Sequence, residues 1–216
     1  MKTISAKTIA LLLFCLLSVS LLILRVLYTG QFTFVFLTWN LFLAYIPMGL
    51  STLVYLKRTE INRSQFWLAT LPWLLFFPNA PYILTDLFHL MPRPGISEWY
   101  DLLLILSFAI TGLLFGLLSL RNMHKTIVRL HSSFTSYLFV VASIFLGSFG
   151  VYLGRFERYN SWDILRAPEE LFVDITQRLA HPLHYTTTWG LTLGMGVLLT
   201  LLYVLMGGAE TGEKNR

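Results

Sequence analysis

Residues 76–90, FFPNAPYILTDLFHL, set Asn79, Asp86 and His89 among two prolines inside an otherwise apolar run. A carboxylate and an imidazole three residues apart share one helix face. Such a pair holds a divalent cation, moves a proton or receives a guanidinium. Guanidiniums occur in YLGRFERYNSWDIL, residues 152–165, where Arg155 and Arg158 lie about one turn apart and Asn160, Ser161 and Asp163 follow. Asn40 and Asp101 complete a set of polar residues at the ends of apolar runs. Counted at about 1.5 Å per helical residue from the nearest basic end, Asn40 falls about 25 Å along its run, Asn79 about 20 Å and Asp86 about 30 Å. One polar layer at one depth is therefore expected, with Asp86 and Asp101 facing Arg155 and Arg158 and with His89 at the rim. In that layer Asn40, Asn79, Asp86, His89, Asp101, Arg155, Arg158, Asn160 and Asp163 are candidate ligand-binding residues. Asp86, His89 and Asp101 are also the candidate metal ligands.

The elements that position this layer follow from composition. Of 216 residues 56% are apolar and 12% charged, with mean hydropathy +0.66. A water-exposed surface carries far more charge, so the chain reads as an all-α, polytopic membrane protein. Runs of about 20 apolar residues, the length needed to cross about 30 Å of hydrocarbon, lie near 8–28, 33–56, 66–90, 101–120, 134–154 and 187–206. Six spans in a single integral membrane domain, 1–216, are expected. Ten of the sixteen Lys and Arg residues fall on one side of that arrangement: Lys2, Lys7, Lys57, Arg58, Arg63, Arg121, Lys125, Arg129, Lys214 and Arg216. Basic loops stay inside, which places both termini in the cytoplasm and the polar layer at the outer face. The net charge of +5 sits in short clusters at span ends and forms no basic stripe for nucleic acid. Residues 1–28 read as a retained first span, because the apolar core is longer than a leader's and no small-residue cleavage site follows. Cys15 reads as a structural thiol.

Pro78 and Pro81 remove two backbone donors and bias Phe77 and Ala80 away from helical angles. The third span is therefore expected to break near Asn79 and restart at Pro81, capped by Asn79 or Ala80, with the amino end of the new half-helix directed into the bilayer. Small residues at helical spacing, Ala109, Gly112, Gly116 and Ser119, then Ser143, Gly147, Gly150 and Gly154, then Gly190 and Gly194, predict close helix packing. In the long loop before the last span, Ser161 is placed to cap a short helix with Asp163 in its first turn. Pro168 then opens a second helix, with Leu171, Phe172, Ile175 and Leu179 on one face, suited to lying on the membrane surface.

The blocks WNLFLAYIP (39–47), FPNAPYILTDLFHL (77–90), WYDLLL (99–104) and YLGRFERYNSWDIL (152–165) resemble the bacterial membrane proteins catalogued as domain of unknown function 1361. The resemblance implies a bacterial inner-membrane location and matches the polar positions named above, together with Ser161 and Trp162, to the family's motifs. It brings no activity or cofactor. No zinc-protease, nucleophile-elbow, P-loop or dinucleotide motif is present, and His181 and His184 are separated by Pro182, which spoils a shared helical face. Three functions stay open: binding or moving an anionic ligand such as a lipid headgroup, structural assembly with a self-paired polar layer, or extracytoplasmic metal-dependent hydrolysis or transfer on a lipid-linked substrate.

Overall fold

The computed structural model describes residues 6–208. Among them the regular elements are all helical: α1 (Ala6–Thr29), α2 (Phe36–Leu56), α3 (Arg63–Phe76), α4 (Asn79–Tyr82), a 3-10 segment (Ile83–His89), α5 (Glu98–Leu130), α6 (Ser133–Phe156), α7 (Asp163–Arg166), α8 (Pro168–Ala180) and α9 (Thr186–Leu205). Lys2, Lys214 and Arg216, three cations of the charge count, lie outside the described residues. Five helices, α1, α2, α5, α6 and α9, are long and apolar enough to cross a membrane. They coincide with five of the six expected spans. The remaining one, 66–90, is divided among α3, α4 and the 3-10 segment.

Helix α5 is the axis of the fold, packing on α1, α2, α4, the 3-10 segment and α6. Its 33 residues extend to Leu130, so Arg121, Lys125 and Arg129 ride on a helix where a loop was expected. The reason is local: residues 121–130 contain neither Pro nor Gly, and the buried stripe continues through Leu120, Met123 and Ile127. At about 1.5 Å per residue α5 is about 50 Å long, and its two ends, marked by Asp101 and Leu130, serve below to name the ends of the molecule.

The region around Pro78 differs from expectation in kind. Phe77 (φ −55°, ψ −39°) and Pro78 (φ −58°, ψ −27°) keep right-handed helical angles. What fails is the hydrogen-bond ladder, because the two prolines have no N–H to give. Ala80 N–H donates to the Phe77 carbonyl at 3.2 Å, a tighter turn, and Tyr82 N–H donates to the Pro78 carbonyl at 3.0 Å. Helical structure resumes at Asn79 and not at Pro81, with Pro78 in the N-cap position and no capping side chain. At four residues α4 is too short to present the amino-terminal dipole that a longer half-helix would.

The small-residue stripes explain how this segment is held. A Cβ on Gly112 would stand 2.6 Å from Ile83 Cδ1, and one on Gly116 would stand 2.8 Å from Ala80 Cβ. On α6, Gly147 would meet the Phe77 ring at 2.7 Å and Gly150 would meet Pro78 Cγ at 2.5 Å. Glycines of α5 and α6 thus form a cradle in which the proline turn lies at a distance no side chain permits. Gly190 and Gly194 of α9 face open space.

Contacts fix the direction of each element. Arg63, at the start of α3, donates from Nε to the Leu130 carbonyl at 2.9 Å, while His89, at the end of the 3-10 segment, lies against Arg155 at the end of α6. The stretch 63–89 therefore runs from the Leu130 end to the Asp101 end.

Candidate functional site

Two polar centres, and not one layer, occupy the Asp101 end. The first is built on Asp86, whose side chain is 1% exposed. Asn40 of α2 donates from Nδ2 to Asp86 Oδ2 at 2.8 Å, and Arg155 of α6 donates from Nη1 to Oδ1 at 3.4 Å. The same Nη1 donates to His89 Nε2 at 3.3 Å. The expected pairing of Asp86 with Arg155 is thus present. The guanidinium lies over the rings of Phe88 (5.2 Å) and Tyr82 (5.9 Å), and among the described residues its hydrogen bonds are made by Nη1 alone.

A cavity of about 240 Å³ between α2, the proline turn, α6 and the loop after it shares Asn40 and Tyr82 with this centre and includes Gly154, the neighbour of Arg155, while Arg155 and Asp86 themselves lie outside its wall. Its polar wall comes from Asn40, Asn79, Tyr82, Tyr159, Asn160 and Ser161, and Trp39, Leu43 and Pro78 supply apolar surface. The proline turn creates part of this wall. Two carbonyls at the end of α3 are met by side chains: Asn79 Nδ2 donates to Phe76 O at 2.9 Å, and Ser161 Oγ donates to Leu75 O at 3.0 Å. Asn79 Nδ2 also donates to Ser161 Oγ at 2.9 Å, which ties the loop after α6 to the turn. Ser161 was expected to cap α7 and instead serves the interrupted helix. Trp162 takes the cap position of α7 without a side-chain bond, and Asp163 Oδ2 accepts from Asn160 N–H (2.7 Å) and Nδ2 (3.1 Å).

The second centre corrects the expected pairing of Asp101. This carboxylate, 1% exposed, accepts from Arg25 of α1, with Nε to Oδ1 at 2.7 Å and Nη2 to Oδ2 at 3.2 Å. Arg93 approaches it at 3.5 Å, and Arg25 and Arg93 each lie 4.6 Å from the centre of the Phe34 ring. Arg158 is not part of either centre. Its side chain is exposed, it makes no ion pair among the described residues, and its backbone is left-handed (φ +63°) where α6 turns into the loop. Asp86, His89 and Asp101 do not converge, and no group of three or more His, Cys, Asp or Glu placed to hold a metal occurs among the described residues.

Two participants escaped sequence reasoning. Arg25 was not among the candidate residues, although an arginine inside SLLILRVLY was a signal in itself, because an ionisable group in an apolar helix needs a partner. Arg178 of α8 is the other. It forms ion pairs with Glu157 (2.6 Å) and Asp174 (3.4 Å), and the Trp189 indole donates to its carbonyl at 3.2 Å. Tyr159 donates to Asp174 at 2.9 Å, and that bond, then burial and the nearby carboxylates, pushes its phenol up to about 12. These bonds fasten α8 to the end of α6 and to the start of α9. Phe172 and Leu179 of α8 remain exposed.

The fold and site define an all-helical protein whose several apolar helices fit a membrane protein, with buried ion pairs gathered at one end. Within that class the chain belongs to the family described as Protein of unknown function (DUF1361), which matches residues 39–202. No match was found among curated proteins or among solved structures.

Proposed function

We propose that this chain is a six-span membrane protein of the bacterial inner membrane, with both termini in the cytoplasm, that binds an anionic headgroup at its outer face in the cavity beside Arg155. The half-used guanidinium carries this reading. Asp86 is satisfied by Asn40 and by one nitrogen of Arg155, leaving Nε and Nη2 for an incoming anion, to which a guanidinium offers two parallel donors. Asn40, Asn79, Tyr159 and Ser161 then supply hydrogen bonds to the uncharged part of the headgroup, and Trp39 and Tyr82 supply aromatic surface.

Six crossings rest on the direction of 63–89. Fourteen residues of α3 give about 21 Å, the next six about 9 Å and the 3-10 segment about 14 Å, which together exceed the roughly 30 Å of hydrocarbon. Irregular backbone at depth requires cover by protein, and the glycine cradle of α5 and α6 supplies it.

The test uses Arg155→Lys, which keeps a cation opposite Asp86 and removes the fork. Purified protein in phosphatidylcholine-containing micelles is titrated with short-chain phosphatidylglycerol, and stabilisation against heat is read. Wild type is expected to gain stability with ligand concentration, and Arg155→Lys to bind about tenfold more weakly, as the loss of about one charge-assisted hydrogen bond implies. Equal binding by the two proteins overturns the assignment.

A further inference from the structure

Charge at the second centre does not balance. Arg25 and Arg93 share the single carboxylate of Asp101, so the group carries a surplus positive charge. Arg25 is fully buried, and its Nη1 has no hydrogen-bond partner among the described residues. A buried guanidinium nitrogen left without a partner is costly, more so for a charged group than for a neutral one. Arg25 is also part of the wall of a separate cavity of about 560 Å³, which Leu24, Tyr28, Ser97, Trp99 and Tyr100 help to line. This cavity shares no lining residue with the one beside Arg155. Leu24, Tyr28 and Trp99 are more than half exposed, so the cavity opens on an apolar, aromatic flank of α1 and α5.

We infer that this cavity is a second anion site, which takes the phosphodiester of a lipid. Arg25 Nη1 is the charged donor, Ser97 lies at the mouth, and the acyl chains lie along Leu24, Tyr28 and Trp99. One negative charge neutralises the surplus on the Arg25–Asp101–Arg93 group. The apolar mouth selects an amphiphile over a free anion, because a small hydrated ion gains nothing from aromatic and aliphatic walls. The site is independent of the cavity beside Arg155 and stands or falls separately.

Trp99 reports locally. Its fluorescence, taken as the difference between wild type and Trp99→Phe, is followed in vesicles of brominated phosphatidylglycerol mixed with phosphatidylcholine and in the reverse mixture. Wild type is expected to show a preference of about tenfold for phosphatidylglycerol at Trp99, a difference of about 1.4 kcal/mol. Two variants should bring the ratio to unity. Arg25→Lys keeps a cation for Asp101 but removes the spare nitrogen, and Ser97→Phe fills the mouth while leaving Arg25 and Asp101 in place. Equal quenching by the two lipids in wild type, or a preference retained in Ser97→Phe, overturns the site. Loss of the preference on adding inorganic phosphate, but not sodium chloride of equal ionic strength, overturns the lipid as occupant in favour of a free anion.

Discussion

Asp86 divides its two oxygens between a neutral donor, Asn40, and a charged one, Arg155, and the effect of removing its charge follows from that division. Asp86→Asn leaves the shape intact but faces a half-buried guanidinium with an amide. A loss of about 3 kcal/mol is expected, since stripping one member from a buried pair strands the other. Chemical unfolding in detergent measures it, and a change within about 0.5 kcal/mol, the range of ordinary surface substitutions, would refute the pairing. Arg158 behaves oppositely. Its left-handed backbone costs about 1 kcal/mol in a residue with a Cβ, so Arg158→Gly should raise stability by about that much and leave phosphatidylglycerol binding unchanged. Weaker binding in that variant would return Arg158 to the site. The sequence made the Asp86 pair legible because both groups sit at the same depth in apolar runs. It misassigned Asp101 because depth says nothing about which helices are neighbours, and α1, which carries Arg25, lies against α5 while Arg158 turns outward.

Among the elements, the proline turn and its cradle make the sharpest demand. Gly150→Ala puts a methyl 2.5 Å from Pro78 Cγ, where neither a pyrrolidine ring nor a helix backbone yields cheaply. Overpacking of that kind costs about 1–3 kcal/mol. Gly190→Ala meets open space in the second turn of α9 and should be neutral or stabilising by up to about 1 kcal/mol, as helix propensity favours. Thermal unfolding of the two variants side by side checks the contrast, and equal effects would mean that the cradle does not grip. The stripes were visible in the sequence, whereas their partner was not: glycine spacing marks a close approach without saying what approaches. The attachment of α8 has a pH signature. Tyr159 donates to Asp174, and its phenol is raised from about 10 in an unfolded chain to about 12 in the folded one. The stability it contributes is therefore complete below about pH 10 and is lost as pH rises through about 12. The difference in unfolding stability between wild type and Tyr159→Phe should be constant below that window and shrink within it. A difference that grows there would contradict the bond.

At the scale of the whole molecule, hydrophobic length marks six runs, and five of them stand as uninterrupted apolar helices long enough to cross a membrane, α1, α2, α5, α6 and α9. The remaining run, 66–90, has the length but not the single helix, because Pro78 and Pro81 divide its hydrogen bonding into pieces that length does not register. The proposed topology depends on that piece. If 63–89 crosses, the turn before α3 and the end of α5 lie on one side of the membrane; if it does not, they lie on opposite sides. Glu60 and Arg129 are both exposed at these places, and Leu165 is exposed in α7. Single cysteines at 60, 129 and 165, introduced into a Cys15→Ser background in intact cells, should be read with a thiol reagent that does not cross the membrane. Labelling at 165, with protection of both 60 and 129 until the cells are opened, is the result the six-span account expects; labelling of either 60 or 129 from outside while the other stays protected would contradict it.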